Sequence, residues 1–250
     1  MIRIRSDQRY ELKYLVRHDQ ANEVAASLSD YMMPDTHGDD HGQYQVTSLY
    51  YDTVDHKAYW DKIEGHRNRR KLRVRIYGNH LVTPETPCFV EIKHRLDRTL
   101  RKRRSLVPYR VAVALDQTDT LFVASSEQDR AVLEEAQYLY GALRLQPACV
   151  VSYQRHALES QEYDPGLRVT FDTNLKYRIH ELTLLANGQA TDHYFLPPNW
   201  CIMEVKVNHR APLWLTEVIG KHQCVLTRIS KYCTAMEQSK ILLSRQHLLE

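Results

Sequence analysis

With 250 residues, 43% hydrophobic and 26% charged, the chain is long enough for one large domain or at most two small ones, and a single domain over 1–250 is expected. No apolar run approaches the ~20 residues of a membrane-spanning helix, and MIRIRSDQRYELKYLV lacks the apolar stretch and cleavage site of a secretory signal, so a cytoplasmic location is expected. A net charge of +3 from 34 basic and 31 acidic residues is too small to mark a nucleic-acid binder, and no nucleic-acid partner is expected.

In chain order, two-residue alternation first predicts a strand over 8–16, with Arg9, Glu11 and Lys13 on one side and Tyr10, Leu12 and Tyr14 on the other. Apolar residues at three- and four-residue intervals then predict a helix over 19–32. The stretch DTHGDDHGQ at 35–43 reads as a loop; His37 and His41 beside Asp39 and Asp40 have metal-like spacing, but a Gly-containing loop is solvated by default. A strand over 43–53 and an amphipathic helix over 55–65 follow, the helix carrying Lys57 and Lys62 with Tyr59 and Trp60 as core aromatics.

The next strand, 69–78, sorts its residues most cleanly: Lys71, Arg73 and Arg75 against Leu72, Val74 and Ile76. After a Pro/Thr loop at 82–87, the strand at 87–95 sets Glu91, Lys93 and Arg95 against Val90 and Ile92. The basic block RTLRKRRS lies in a strand over 98–107, close enough to form a hairpin with it. Beyond a helix at about 129–143, strands are predicted over 147–159, 166–175 and 199–208, the last with Glu204 and Lys206 against Met203, Val205 and Val207. Helices at 212–221 and 231–244 complete the chain.

Strands without regular βα alternation argue for an antiparallel sheet or barrel in an α+β fold, and eight strands suffice to close a barrel with a ligand-sized interior. Four separated strands carry a mixed Glu and Lys/Arg face. Periodicity alone leaves two readings of it: a solvated sheet face, or the inside of a barrel whose apolar outside is covered by the helices. An interior so rich in Lys and Arg needs anions to neutralise it. Cys88, Cys149, Cys201, Cys224 and Cys233 are scattered without CxxC spacing and read as free thiols. No Gly-rich phosphate loop, Ser-His-Asp order or HExxH pattern is present.

At these residues the sequence resembles the polyphosphate-polymerase domain of the vacuolar transporter chaperone (VTC) proteins and their bacterial relatives in the CYTH-like triphosphate tunnel superfamily. The likeness rests on RYELKYLV at 9–16, TSLYYDT at 47–53, KLRVRIY at 71–77, FVEIKHR at 89–95, the basic 101–104, VSYQRHA at 151–157, LRVTFDTNL at 167–175, MEVKV at 203–207 and ISKYC at 229–233. It implies an eight-stranded antiparallel β-barrel tunnel with helices packed outside, gripping a triphosphate with Lys and Arg and a metal with glutamate.

Carried over residue by residue, the resemblance implies Lys13, Arg73, Arg75, Lys93, Arg155, Arg168 and Lys231 as catalytic phosphate ligands. Lys102, Arg103, Lys206 and Ser230 follow as further substrate contacts. Glu204 matches the metal-binding carboxylate, for Mn²⁺ or Mg²⁺, with Glu11 and Glu91 as assistants or as orienters of neighbouring cations. ATP and inorganic polyphosphate are the implied substrates, in a polymerase that adds the terminal phosphate of ATP to a growing chain. Triphosphate or short-polyphosphate hydrolysis and non-catalytic polyphosphate binding are the alternatives.

One departure bears on that choice. The superfamily's hydrolases have a first strand resembling Glu-x-Glu-x-Lys, whereas Arg9 stands first here, which disfavours two-metal hydrolysis. No SPX domain or membrane helix is recognisable, so a catalytic domain acting alone or through partners, a membrane protein among them, is the expectation.

Overall fold

A computed structural model describes residues 9–79, 81–97, 99–117, 124–160, 164–185, 192–208 and 210–240. The fold is α+β and dominated by antiparallel strands, as expected. Its contacts fall into two compact units, one of residues 1–45, 153–175 and 196–230, the other of 46–152, 176–195 and 231–250.

The first unit holds strands β1 (Arg9–Arg17), β2 (Met33–Pro34), most of β8 (Arg168–Arg178), β10 (Trp200–Asn208) and the end of β7 (Gln146–Glu159), with helices α1 (His18–Leu28) and α5 (Leu213–Lys221). Its hydrogen-bonded order is β1-β10-β8-β7, with β2 on β7. Tyr14 and Val16 of β1, Val169 and Phe171 of β8 and Met203, Val205 and Val207 of β10 form its core with Ala21, Val24 and Leu28 of α1 and Leu215 of α5. The helices therefore cover the apolar sheet face, and each fully buried Val or Leu contributes about 1.5–3 kcal/mol of transfer free energy.

The second unit runs β7-β3-β4-β5-β6, with β3 (Gln43–Asp52), β4 (Asn68–Tyr77), β5 (Pro87–Leu96) and β6 (Thr99–Pro108). Helices α2 (Lys57–Ile63), α3 (Tyr109–Val113), α4 (Glu127–Ala142) and α6 (Lys231–Gln238) and the short β9 (His193–Tyr194) belong to it. Leu72, Val74 and Ile76 of β4 and Cys88, Val90 and Ile92 of β5 pack with Val132, Leu133, Ala136 and Leu139 of α4. Ser126 starts α4 by accepting the Asp129 N–H at 3.0 Å, with Glu127 and Asp129 favourably placed in the positive first turn. No helix among the described residues is long and apolar enough to cross a membrane.

The eight long strands fall close to their predicted bounds. The helix predicted over 19–32 stops at Leu28, where the Ser29 hydroxyl donates back to the Ala26 carbonyl at 2.7 Å and competes with helical continuation. The strand predicted from 166 starts at Arg168 because Gly166 is left-handed (φ 86°), and a Cβ there would lie 2.2 Å from the Asn208 amide nitrogen. α3, β2 and β9 are too short to show periodicity. Residues 241–244 of the last predicted helix, and residues 8 and 98 of two predicted strands, lie outside the described residues.

Candidate functional site

Antiparallel register determines which side chains share the polar face of each unit. In the first unit Lys13 pairs with Glu204 and Glu11 with Lys206, opposite charges across β1 and β10, while on β8 Glu204 meets the neutral Thr170 and Lys206 meets a second cation, Arg168. The Lys13 ammonium lies 3.0 Å from Glu11 and 3.3 Å from Glu204, and Lys206 lies 2.5 Å from the other Glu204 oxygen. Burial alone would lower the Lys13 pKa, but Glu204 and Glu11 hold it above its ordinary value.

Two arginines flank this row in the same unit. Arg155 of β7 donates from Nε and a terminal nitrogen to the two Asp172 oxygens at 2.7 and 2.8 Å, a buried fork-to-carboxylate pair. Burial would lower the Arg155 pKa, and Asp172 instead holds it well above the ordinary value. Arg168 donates to the buried Asp35 and, at 2.7 Å, to the Tyr44 hydroxyl. Lys13, Arg155, Arg168 and Lys206 thus each have a carboxylate beside them. His37, a metal-like histidine by spacing, bonds through Nδ1 to Asp35 at 2.7 Å, and the loop is tied down by the Asp35 N–H donating to the Ala157 carbonyl. Ser230 lies just past the segment in which the Thr227 N–H donates to the Lys13 carbonyl.

The second unit has the opposite balance. Register places Arg73, Glu91 and Arg104 in one row and Lys71, Lys93 and Lys102 in the next, with Arg75 beyond. Glu91 is the sole carboxylate on that face of β4, β5 and β6 among the described residues. Arg73 donates to one Glu91 oxygen from Nε at 2.7 Å and approaches it with a terminal nitrogen at 2.6 Å; Arg75 is 3.9 Å away, and Lys102 pairs with the second oxygen. Burial would raise the Glu91 pKa, but Arg73, Arg75 and Lys102 hold it well below the carboxylate range. Arg75 also donates to Ser48 at 2.9 Å, and Arg73 to the Tyr50 hydroxyl at 2.9 Å.

At the edge of this cluster the Tyr232 ring stacks on Tyr50 (centroids 5.1 Å apart), while Lys71 lies over the Tyr232 ring. Lys231, the buried first residue of α6, is within electrostatic reach of Tyr50. The structure thus groups Arg73, Arg75, Lys93, Lys102 and Glu91 on one face. Arg103 is elsewhere: it pairs across the strands with Ile92, on the core side, and donates to Glu135 of α4 at 2.6 Å.

Sequence reading passed over four residues here. Arg104 stands in register with Glu91 and over the Phe89 ring at 4.6 Å, and alternation within 101–104 from a known partner strand would have found it. Asp172 follows Arg168 and Thr170 at two-residue spacing, a legible signal. Tyr50 and Tyr232 give none, because aromatics in strands and helices are ordinary core residues.

The candidate metal carboxylates each have a cation against both oxygens, Arg73 and Lys102 at Glu91 and Lys13 and Lys206 at Glu204. They differ in the acids around them: Glu91 has no second carboxylate on its face among the described residues, whereas Glu11 lies against the same Lys13 ammonium as Glu204. Glu204 and Glu11 thus bring together two hard oxygen donors of the kind Mg²⁺ or Mn²⁺ takes one or two at a time, the rest coming from phosphates and water.

A family model described as the VTC domain matches residues 8–240. No curated protein matches the chain. Among solved structures, protein PH1819 from Pyrococcus horikoshii OT3 is similar with a TM-score of 0.45 at 11% identity, covering 92% of this chain and 99% of that one. A chain of the Schizosaccharomyces pombe Mediator head module is similar with a TM-score of 0.43 at 11% identity, covering 95% and 94%.

Proposed function

This chain belongs to the VTC domain family, and from that premise we propose that it is a metal-dependent polyphosphate polymerase that moves the terminal phosphate of ATP onto a growing inorganic polyphosphate. The observation that supports phosphate as the ligand is the face of the second unit, where Lys71, Arg73, Arg75, Lys93, Lys102 and Arg104 surround the single carboxylate Glu91. Cations crowded at that density repel one another, and a polyanion relieves the repulsion.

In the proposed reaction a terminal polyphosphate oxygen attacks the γ-phosphorus of ATP as the bond to the ADP oxygen breaks, and ADP leaves. The nucleophile is already ionised at neutral pH, so the protein's task is to hold the groups in line and neutralise charge. Arg73 and Arg75 supply planar, two-pronged donors to neighbouring phosphates, and Lys93, Lys102 and Lys231 supply point charges. On the first unit's own polar face, Lys13, Arg155, Arg168 and Lys206, with Ser230, are the proposed phosphate contacts of that unit, with Glu11 and Asp172 setting their orientation. Glu204 is the proposed holder of Mn²⁺ or Mg²⁺. When bound, such an ion neutralises phosphate oxygens. The proposed location is the cytoplasm, where ATP is supplied, acting alone or with a membrane-protein partner.

Incubation of the purified chain with ATP and Mn²⁺, followed by gel separation of the products, tests this reading. A ladder of polyphosphates is expected. Release of free phosphate alone would assign a hydrolase, and unaltered ATP a binding module.

A further inference from the structure

Tyr50 is 7% exposed, and its hydroxyl accepts a hydrogen bond from Arg73 at 2.9 Å. A phenol has one hydrogen of its own to give, and no described residue accepts it. The charged and titratable groups around the ring are Arg73 and Arg75 on β4 and Lys231 and Tyr232 on α6. Arginine and lysine have no acceptor atom, and the Tyr232 hydroxyl, which donates to Asp52, makes no hydrogen bond with Tyr50 although the two rings stack. A buried hydroxyl ringed by donors lacks an acceptor, and an anionic oxygen brought in by a ligand would supply it.

We propose that the Tyr50 hydroxyl donates its hydrogen to a phosphate oxygen of the bound substrate, making it a substrate-binding residue in the row of Arg73. This rests on reading the second unit's basic face as a phosphate site. The Tyr232 stack fixes the ring, and Arg73, itself held by Glu91, fixes the hydroxyl.

The arrangement also limits binding at alkaline pH. Burial would raise the Tyr50 pKa, but Arg73, Arg75 and Lys231 bring it down to about 8. Above that pH the phenolate has no hydrogen to donate and repels phosphate. A bound phosphate conversely keeps the phenol protonated and moves its titration upward.

The test is calorimetric titration of the full chain with tripolyphosphate at about pH 7 and about pH 9, for the parent and Tyr50→Phe, which keeps the ring and its stack. At the lower pH the variant is expected to bind about tenfold more weakly, the loss of one hydrogen bond to a charged group. Between the two pH values the parent is expected to weaken about tenfold more than the variant, as one proton is lost. Equal affinities with parallel pH dependence would overturn the assignment while leaving the phosphate site standing. A parent that binds no tripolyphosphate at either pH would overturn both. Independently of the variant, the phenolate absorbance of the parent should show a component titrating near pH 8 that tripolyphosphate displaces upward; a component that ignores the ligand would contradict the contact.

Discussion

The Tyr232 hydroxyl donates to Asp52 at 2.5 Å, and the same carboxylate accepts the N–H groups of Thr53, Ala58 and Tyr59. One buried side chain therefore closes the end of β3, caps the first turn of α2 and holds the first turn of α6, where Lys231 precedes Tyr232. Asp52→Ala leaves those donors without an acceptor, and we expect a loss of about 2–4 kcal/mol in urea unfolding. Tyr232→Phe keeps the stack on Tyr50 and should lose about 1–2 kcal/mol. An Asp52→Ala protein as stable as its parent would show that the clamp does not form.

Glu91 is the counter-charge of the second unit's face. Glu91→Gln leaves Arg73, Arg75 and Lys102 facing one another, and we expect a loss of about 3–5 kcal/mol, partly recovered by tripolyphosphate in thermal melts. The pH dependence follows from the depressed carboxyl: its stabilisation is fully present above the unfolded value of about 4.3 and is lost as pH falls through the lower folded value. Acid unfolding below about pH 4 should therefore be steeper for the parent than for Glu91→Gln. Identical acid profiles would contradict the pairing.

Glu204→Gln is expected to abolish the dependence of turnover on Mn²⁺ or Mg²⁺ by abolishing turnover itself. It should also destabilise the fold, because Lys13 and Lys206 both rest on that carboxylate. We expect about 2–3 kcal/mol, read in urea at neutral pH. Loss of the Glu204 charge removes one of the two carboxylates that raise the Lys13 pKa, so the variant's Lys13 should titrate lower than the parent's. Unchanged metal-dependent turnover would remove Glu204 from the metal assignment.

Strand faces were readable from the chain alone. The split of Lys71, Arg73 and Arg75 from Leu72, Val74 and Ile76 is the split between the polar face and the buried core. Period-two alternation fixes that sorting without knowledge of neighbours. What it leaves open is which strand lies beside which. In the run 101–104 every residue is basic, so only pairing with β5 separates Lys102 and Arg104, opposite Lys93 and Glu91, from Arg103, opposite Ile92. The counter-ion Asp35 likewise emerges only with the fold, since it meets Arg168 across 133 positions, whereas Asp172 shares the spacing of Arg168 and Thr170 and only its partner Arg155 needs the fold. Tyr232 meets Asp52 across 180 positions, and no local pattern records such a contact.

The register of β4, β5 and β6 carries the central claim, that one face of the second unit binds phosphate through Arg73 and its neighbours. Arg73 and Arg103 both belong to basic runs, but Arg73 shares that face with Glu91 whereas Arg103 faces the core side and pairs with Glu135. The most direct test is tripolyphosphate affinity by calorimetry for Arg73→Ala and Arg103→Ala beside the parent. Arg73→Ala should bind about tenfold to a hundredfold more weakly, the loss of a charge-assisted donor pair. Arg103→Ala should bind like the parent, with a stability change of about 1 kcal/mol or less from its half-exposed ion pair. Equal losses at both positions, or none at Arg73, would contradict the account.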